Sequence, residues 1–358
     1  MSTLKVSVEK LTILKHPNAD ALELAVVGEY HCVVRLGQYR TGDLAVYIPE
    51  QAIVPDELLE ELGLVGRLAG SKHNRVKAVR LRGELSQGIV CSPAIFSKED
   101  LGTAFSMDAD LADQLGITKW VPEVPVHFGG DVVASPDFTP WIDIENIKRF
   151  PDVFYPGEHV EATEKVHGTA GCFTWTSETG LMVSSKGLGS KRLTLVDTPE
   201  NIYWRCVRDH DLAALCVEVA LEYDASSVSL YGEVYGQGVQ DLTYANATNN
   251  VGFALFDARV VNAGAPAGRW LEREELCALA GDDRVTLVPV LYSGPYDYDA
   301  LLALSDGPET LSGTQAHTRE GLVLRPVPER RSDVLGGRAI AKLVGSDYLT
   351  RKGGTEFE

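Results

Sequence analysis

From Lys5 to Pro93, short runs with alternating apolar and polar residues follow one another, each ended by Pro, Asn, Asp or Gly. KVSVEKLTIL, LELAVV, YHCVVRL, LAVYIP, RVKAVRLR and GIVCSP each have the period and composition of a strand. Six such runs in under about 100 residues predict a small barrel or sandwich.

The pattern then changes. SKEDLGTAFSMDADLADQLGI, residues 97–117, is acidic and reads as helical. Residues 119–140 carry Pro and Gly too densely for regular structure and read as a linker. Beyond them strands and helices mix. HVEATEK, FTWTS, LMVSSK, SVSLYGEV, VGFALFDARV, VTLVPVL, GLVLRPV and RAIAKLV are the strand candidates. Residues 198–224 present a broad apolar stripe (Ile202, Cys206, Leu212, Leu215, Cys216, Val219) and predict one amphipathic helix capped by Thr198. A second helix is expected over 270–281, stopped by Gly281. The chain thus divides into an all-β module at 1–118, a linker at 119–140 and an α+β domain at 141–358.

Composition narrows the class. The 358 residues are 44% hydrophobic, an ordinary value for a globular chain. No apolar run is long enough to span a bilayer, and the N-terminus lacks a secretion signal, so a cytoplasmic location without a membrane is expected. The six cysteines have no C-x-x-C spacing, which argues against a zinc knuckle or a disulfide framework. The formal charge of −18 disfavours a nucleic-acid partner at first sight. Yet a site needs only a local field, and Arg67, Lys72, Arg75, Lys77, Arg80 and Arg82 occur together with no acid among them.

No Walker loop, no G-x-S-x-G elbow and no metal-spaced His/Cys cluster is present. What stands out is an order of pieces: EKVHGT (164–169), SSKGLG (184–189), YGEVYGQGVQ (231–240), FALFDA (253–258), EGLVLRP (320–326) and AKLVGSDYL (341–349). Glu233 and Glu320 sit in short apolar runs where an unpaired charge is costly.

This series resembles the covalent nucleotidyltransferases, and the His of K-x-H-G is most similar to the RNA ligases among them. The N-terminal stretch HPNADALELAVVGEYHCVVRLGQYRTGDLAVYIP resembles OB-type barrels. Together they look like the RNA ligase branch with an N-terminal OB module. The resemblance implies an OB-like barrel followed by an adenylyltransferase domain of antiparallel sheets with flanking helices. It also implies an ATP-dependent ligase that seals 3′-OH/5′-phosphate nicks through a lysyl-AMP. Lys165 would be the nucleophile, His167 a participant in adenylation, and Lys342 a contact to the α-phosphate. Glu164, Lys186, Glu233, Phe256 and Glu320 would surround the nucleotide, with Phe256 stacked on the base. Glu233 and Glu320 would serve Mg²⁺ or Mn²⁺.

Three positions depart from the family pattern. Ala170 replaces Asn, Val344 replaces a second lysine, and Lys186 replaces Arg, losing a bidentate fork. The partner expected is a nicked RNA-containing duplex, held in part by Arg75, Lys77, Arg80, Arg82, Lys148 and Arg149; no protein partner is implied. A DNA ligase, a capping-type guanylyltransferase or a non-catalytic RNA-binding protein are the alternatives.

Overall fold

The computed structural model describes residues 4–121, 129–246, 250–262, 264–281 and 285–354. Of the linker expected at 119–140, residues 122–128 lie outside these. The chain separates into two compact units, Met1–Val121 with Glu145–Pro151, and Pro122–Ile144 with Asp152–Glu358.

In the first unit Ser7–Lys10, Leu44–Ile48 and Ile89–Cys91 form one antiparallel sheet, and Thr12–Lys15, Leu22–Val27 and Tyr30–Arg35 a second. The single strand expected over 5–14 is therefore two. Leu11, fully buried, is where the chain leaves one partner for the other, its N–H still donating to the Asp43 carbonyl. The HPNAD turn is held by a buried imidazole. His16 Nδ1 accepts the Asn18 N–H at 3.1 Å, so Nε2 carries the proton and donates to the Leu81 carbonyl at 3.1 Å. Of the acidic stretch 97–117 only Lys98–Ser106 is helical, and Asp108 ends it in the left-handed region. The short helix Asp56–Leu62, which the sequence pattern missed, buries Leu58 and Leu59 in the same core.

The second unit is built on two antiparallel sheets. One places Ala341–Val344, Gly321–Pro326, His159–Lys165 and Val290–Pro295 side by side. The other runs Gly180–Ser185, Thr169–Thr176, Ala225–Tyr235, Gly252–Asn262 and Ala265–Trp270. Apolar side chains of the second sheet, such as Phe173, Leu230 and Phe253, meet those of the region 202–220 in the largest core.

That region is two helices, Ile202–Asp209 and Leu212–Glu222, rather than the one expected from 198 to 224. The cap is Asn201, whose side chain accepts from Tyr203 and Trp204 N–H, not Thr198. The break has a polar cause. Asp209 accepts the Val251 N–H, His210 Nε2 meets the Val251 carbonyl at 2.7 Å, and Asp211 turns left-handed at φ 48°. Both groups of Val251 are thereby paired and the apolar stripe continues after a bend. The helix expected over 270–281 spans Arg273–Ala280, with Gly281 at φ 53° after it. Tyr298–Ser305, capped by Asp297, was not anticipated. No helix among the described residues is long and apolar enough to cross a membrane.

Candidate active site

Lys165 is the last residue of the strand His159–Lys165 and pairs with Gly321. Its neighbour across the sheet is thus the residue after Glu320, and Nζ donates to Glu320 Oε1 at 2.6 Å. Both side chains are largely enclosed, the amine 25% and the carboxylate 11% exposed, so the pair is shielded from bulk water yet reachable. Lys165 lines a cleft of about 710 Å³, its open mouth included, between the two sheets. Thr163, Val323, Arg325 and Lys342 line it from the first sheet, and Ala170, Glu233 and Phe256 from the second.

Gly168 lets the chain cross from one sheet to the other. A Cβ there would lie 2.2 Å from the Val234 carbonyl oxygen and 3.1 Å from Glu233 Cγ, so only glycine fits this approach. Ala170 pairs with Glu233, which puts that carboxylate opposite the start of the strand after the nucleophile. Glu233 is half-buried, and loss of hydration pushes its carboxyl up to about 8. Lys165 and Lys186 pull it down, and the Glu320 charge pushes it further up.

An unfolded chain ionises Glu233 near 4.5, whereas the folded chain keeps the proton until about 8. Stability carried by Glu233 is therefore complete below 4.5 and lost as pH rises to about 8. Glu233→Gln removes that loss. Its melting temperature, measured against wild type across this range, should gain steadily on the parent with rising pH and run parallel to it above 8. A gap that does not change with pH would show the group to be ordinary.

Glu164 is buried on the neighbouring register position. One carboxylate oxygen accepts from Thr310 N–H at 2.8 Å and from its hydroxyl at 2.6 Å, while the other, Oε1, is buried with no hydrogen-bond partner among the described residues. Burial raises its pKa, against the pull of the Thr310 bonds. Arg325, 6% exposed, carries the complementary orphan: its Nε is buried without an acceptor among the described residues. Both residues line the cleft, and each carries one buried polar atom left unsatisfied among the described residues, which is costly.

Phe256 and Trp141 line the same cleft with ring centroids 5.0 Å apart. They supply flat apolar surface of the kind a nucleobase stacks on. Arg325 Nη2 donates to the Phe256 carbonyl at 3.0 Å and so fixes the backbone beneath that ring. Lys186 follows the strand Gly180–Ser185 and meets Asp143 at 3.0 Å. Lys342 pairs with Val323 on the neighbouring strand of the first sheet and lines the cleft half-buried.

His167 is placed differently. Its ring is 3% exposed and does not line the cleft; Asp241 and Tyr348 engage its two nitrogens. Of the basic residues expected to bind nucleic acid, two are drawn from the surface. Arg75 is buried with its guanidinium 3.3 Å over the Trp120 ring, and Lys148 is buried with Nζ 2.9 Å from Gln87 Oε1. In the interior the Trp120 ring beneath Arg75 and the Gln87 amide oxygen beside Lys148 compensate the two charges. Lys77 and Arg149 are half-buried, and Arg80 and Arg82 are exposed.

Among the described residues, no group of three or more His, Cys, Asp or Glu side chains is placed to hold a metal by itself. Glu233 and Glu320 are nonetheless close enough to feel each other's charge. Once a cation displaces the Glu233 proton, two carboxylates without a third protein ligand suit a hard divalent ion that keeps water and takes its remaining oxygens from a phosphate. The donor set fits Mg²⁺ or Mn²⁺ accompanied by a polyphosphate.

Asp257 was not singled out by the motif reading. It is fully buried, with Arg338 Nη1 at 2.6 Å and Arg325 Nη1 at 3.7 Å, while Glu329 accepts from both arginines. An acid between Phe256 and Ala258 in an apolar strand was the available signal.

The RNA ligase family model matches residues 158–344, just over half of the chain, and an OB-fold domain model matches residues 5–93. No curated protein matches the chain in sequence. Among solved structures it is similar to Naegleria gruberi RNA ligase with pyrophosphate, at TM-score 0.76 and 22% identity over 97% of this chain and 98% of that one. A lysine-to-alanine variant of that ligase with ATP and manganese gives TM-score 0.74 and 22% identity, over 96% and 98% of the two chains. A glutamate-to-alanine variant with AMP and manganese gives 0.74 and 23%, over 97% and 98%. At these identities the likeness is one of fold.

Proposed function

The chain belongs to the RNA ligase family, and from that premise we propose that it is an ATP-dependent enzyme sealing 3′-OH/5′-phosphate nicks in RNA-containing duplexes through a lysyl-AMP on Lys165. The observation that carries the reading is the placement of Lys165. A single amine stands at the end of a strand, bonded to a carboxylate, in a cleft that also holds Lys186, Arg325 and Lys342. In this reading the first unit, which gathers residues 145–151 to 1–121, binds nucleic acid and the second transfers the nucleotide.

The chemistry has three steps. Lys165 Nζ attacks the α-phosphorus of ATP, forming a P–N bond as the bond to pyrophosphate breaks. The 5′-phosphate of the nick then takes the adenylyl group from Nζ. Finally the 3′-OH attacks that phosphate and AMP leaves. An ammonium has no lone pair, so a proton must leave Nζ before attack; Glu320 is the acceptor within reach. Lys186, Arg325 and Lys342 attract the polyphosphate and favour the charge that develops on its oxygens. Phe256 and Trp141 stack on the base, and Glu164 Oε1 and Arg325 Nε gain partners. Mg²⁺ or Mn²⁺ held by Glu233 and Glu320 would neutralise phosphate charge as a Lewis acid. The exposed Arg80 and Arg82 provide phosphate contacts on the first unit, whereas Arg75 and Lys148 support its core.

The test pairs two assays. The chain is incubated with α-labelled ATP or GTP, and sealing is then followed on nicked duplexes with RNA or DNA on each side of the break. Label from ATP and closure of nicks bearing a ribose 3′-OH are expected. Label from GTP alone, or adduct formation without sealing of any nick, contradicts the proposal.

A further inference from the structure

His167 does not line the cleft, yet its backbone N–H and both ring nitrogens are engaged. The backbone N–H donates to the Tyr244 hydroxyl at 2.6 Å, Nε2 faces Asp241 Oδ1 at 2.9 Å, and Nδ1 faces the Tyr348 hydroxyl at 2.8 Å. Arg351 completes a circuit. Its Nε donates to Asp241 Oδ2 at 3.2 Å, and its guanidinium lies 3.7 Å over the Tyr348 ring. Glu320, the partner of Lys165, approaches the same imidazole, Oε2 lying 4.0 Å from Nδ1. A carboxylate opposite Nε2 places the proton on that nitrogen, so Nδ1 accepts from the Tyr348 hydroxyl.

The ring joins segments that matter for transfer. His167 lies two residues after Lys165, and Tyr348 lies six residues after Lys342. Tyr348 belongs to the helix Ser346–Leu349, directly after the strand that carries Lys342. Tyr244 adds a third tie: its N–H donates to His317 Nε2, on the segment that leads into Glu320. The buried imidazole therefore ties the nucleophile's turn to the helix that follows the lysine strand, and the His167 backbone N–H adds a tie through Tyr244 to the approach to Glu320.

We infer that Asp241, Tyr348 and Arg351 are positioning residues of the adenylation centre, acting through His167 to hold Lys165 in line with the phosphate it attacks. The inference rests on Lys165 being the nucleophile. Reacting atoms must be held near attack distance, and a misplacement of about 1 Å can cost on the order of a hundredfold in rate. None of the three lines the cleft, so their effect should fall on the rate of transfer and leave the affinity for ATP unchanged.

The experiment follows lysyl-AMP formation by the full-length chain with intact-mass spectrometry, in single-turnover mode over a range of ATP concentrations with Mg²⁺. Tyr348→Phe removes one hydroxyl and leaves its ring beneath Arg351; Asp241→Asn keeps the size of the side chain. Each should slow adduct formation at saturating ATP by about tenfold or more, while the half-saturating ATP concentration stays within about twofold of wild type. Arg351→Lys, which keeps the charge, should fall between wild type and Arg351→Ala. It also serves as the second variant if Tyr348→Phe fails to fold. A rate equal to wild type alongside a lowered melting temperature overturns the inference, because the ring is then structural only. So does a change confined to half-saturation. Wild-type chain that gains no adduct removes the underlying reading as well, an outcome distinct from loss in the variants alone.

Discussion

Lys165→Ala incubated with ATP and Mg²⁺ should keep its unmodified mass, while the wild-type chain gains one adenylyl unit at Lys165. The loss should be complete rather than partial, because no other side chain occupies the same place. Lys186 is held by Asp143, and Lys342 lies two strands away across the first sheet. Folding should survive. The amine is at a strand end and 25% exposed, so its removal opens no core cavity, although Glu320 loses its nearest countercharge. Far-ultraviolet circular dichroism checks the fold and peptide mapping locates the adduct. An adduct on Lys186 or Lys342 in the variant would sink the assignment.

Asp257→Ala should be the most destabilising single change in the second unit, by about 3–5 kcal/mol, because it strands a guanidinium charge in the interior. Asp257 and Glu329 balance Arg325 and Arg338 within one buried cluster; removing Asp257 leaves one positive charge in excess. Arg338 also lies 4.0 Å over the Trp270 ring, so an aromatic neighbour feels the change. Urea unfolding followed by tryptophan fluorescence can read it, since Trp141, Trp175, Trp204 and Trp270 belong to this unit. Activity should fall too, through Arg325 and the Phe256 backbone it holds. If Asp257→Ala unfolds within about 1 kcal/mol of wild type, the cluster is not a unit and Glu329 alone suffices.

Much of the architecture was legible along the chain. Alternating runs of period two marked most strands of both units, since a strand that buries one face must alternate. The order of six short motifs, with one lysine before His-Gly, pointed to the family and to the cleft, because residues that line a common site must recur in fixed order on a common fold. What failed was local. The helix expected over 198–224 broke at Asp211, where polar side chains found the backbone of Val251, a partner remote in sequence. Leu11 likewise switched sheets without leaving any trace in the apolar pattern.

By itself the sequence determined most of the strands, the order of the motifs, and which residues are candidates for chemistry, because periodicity and motif order are properties of neighbours along the chain. Only the tertiary structure decided what those candidates do. It set Glu320 against Lys165 from 155 residues away, raised Glu233, and turned His167 from the cleft into a buried post. It also withdrew Arg75 and Lys148 from the surface. The reason is physical: burial, charge pairing and hydrogen-bond satisfaction depend on atoms that meet in space, and a one-dimensional pattern holds no record of who those partners are.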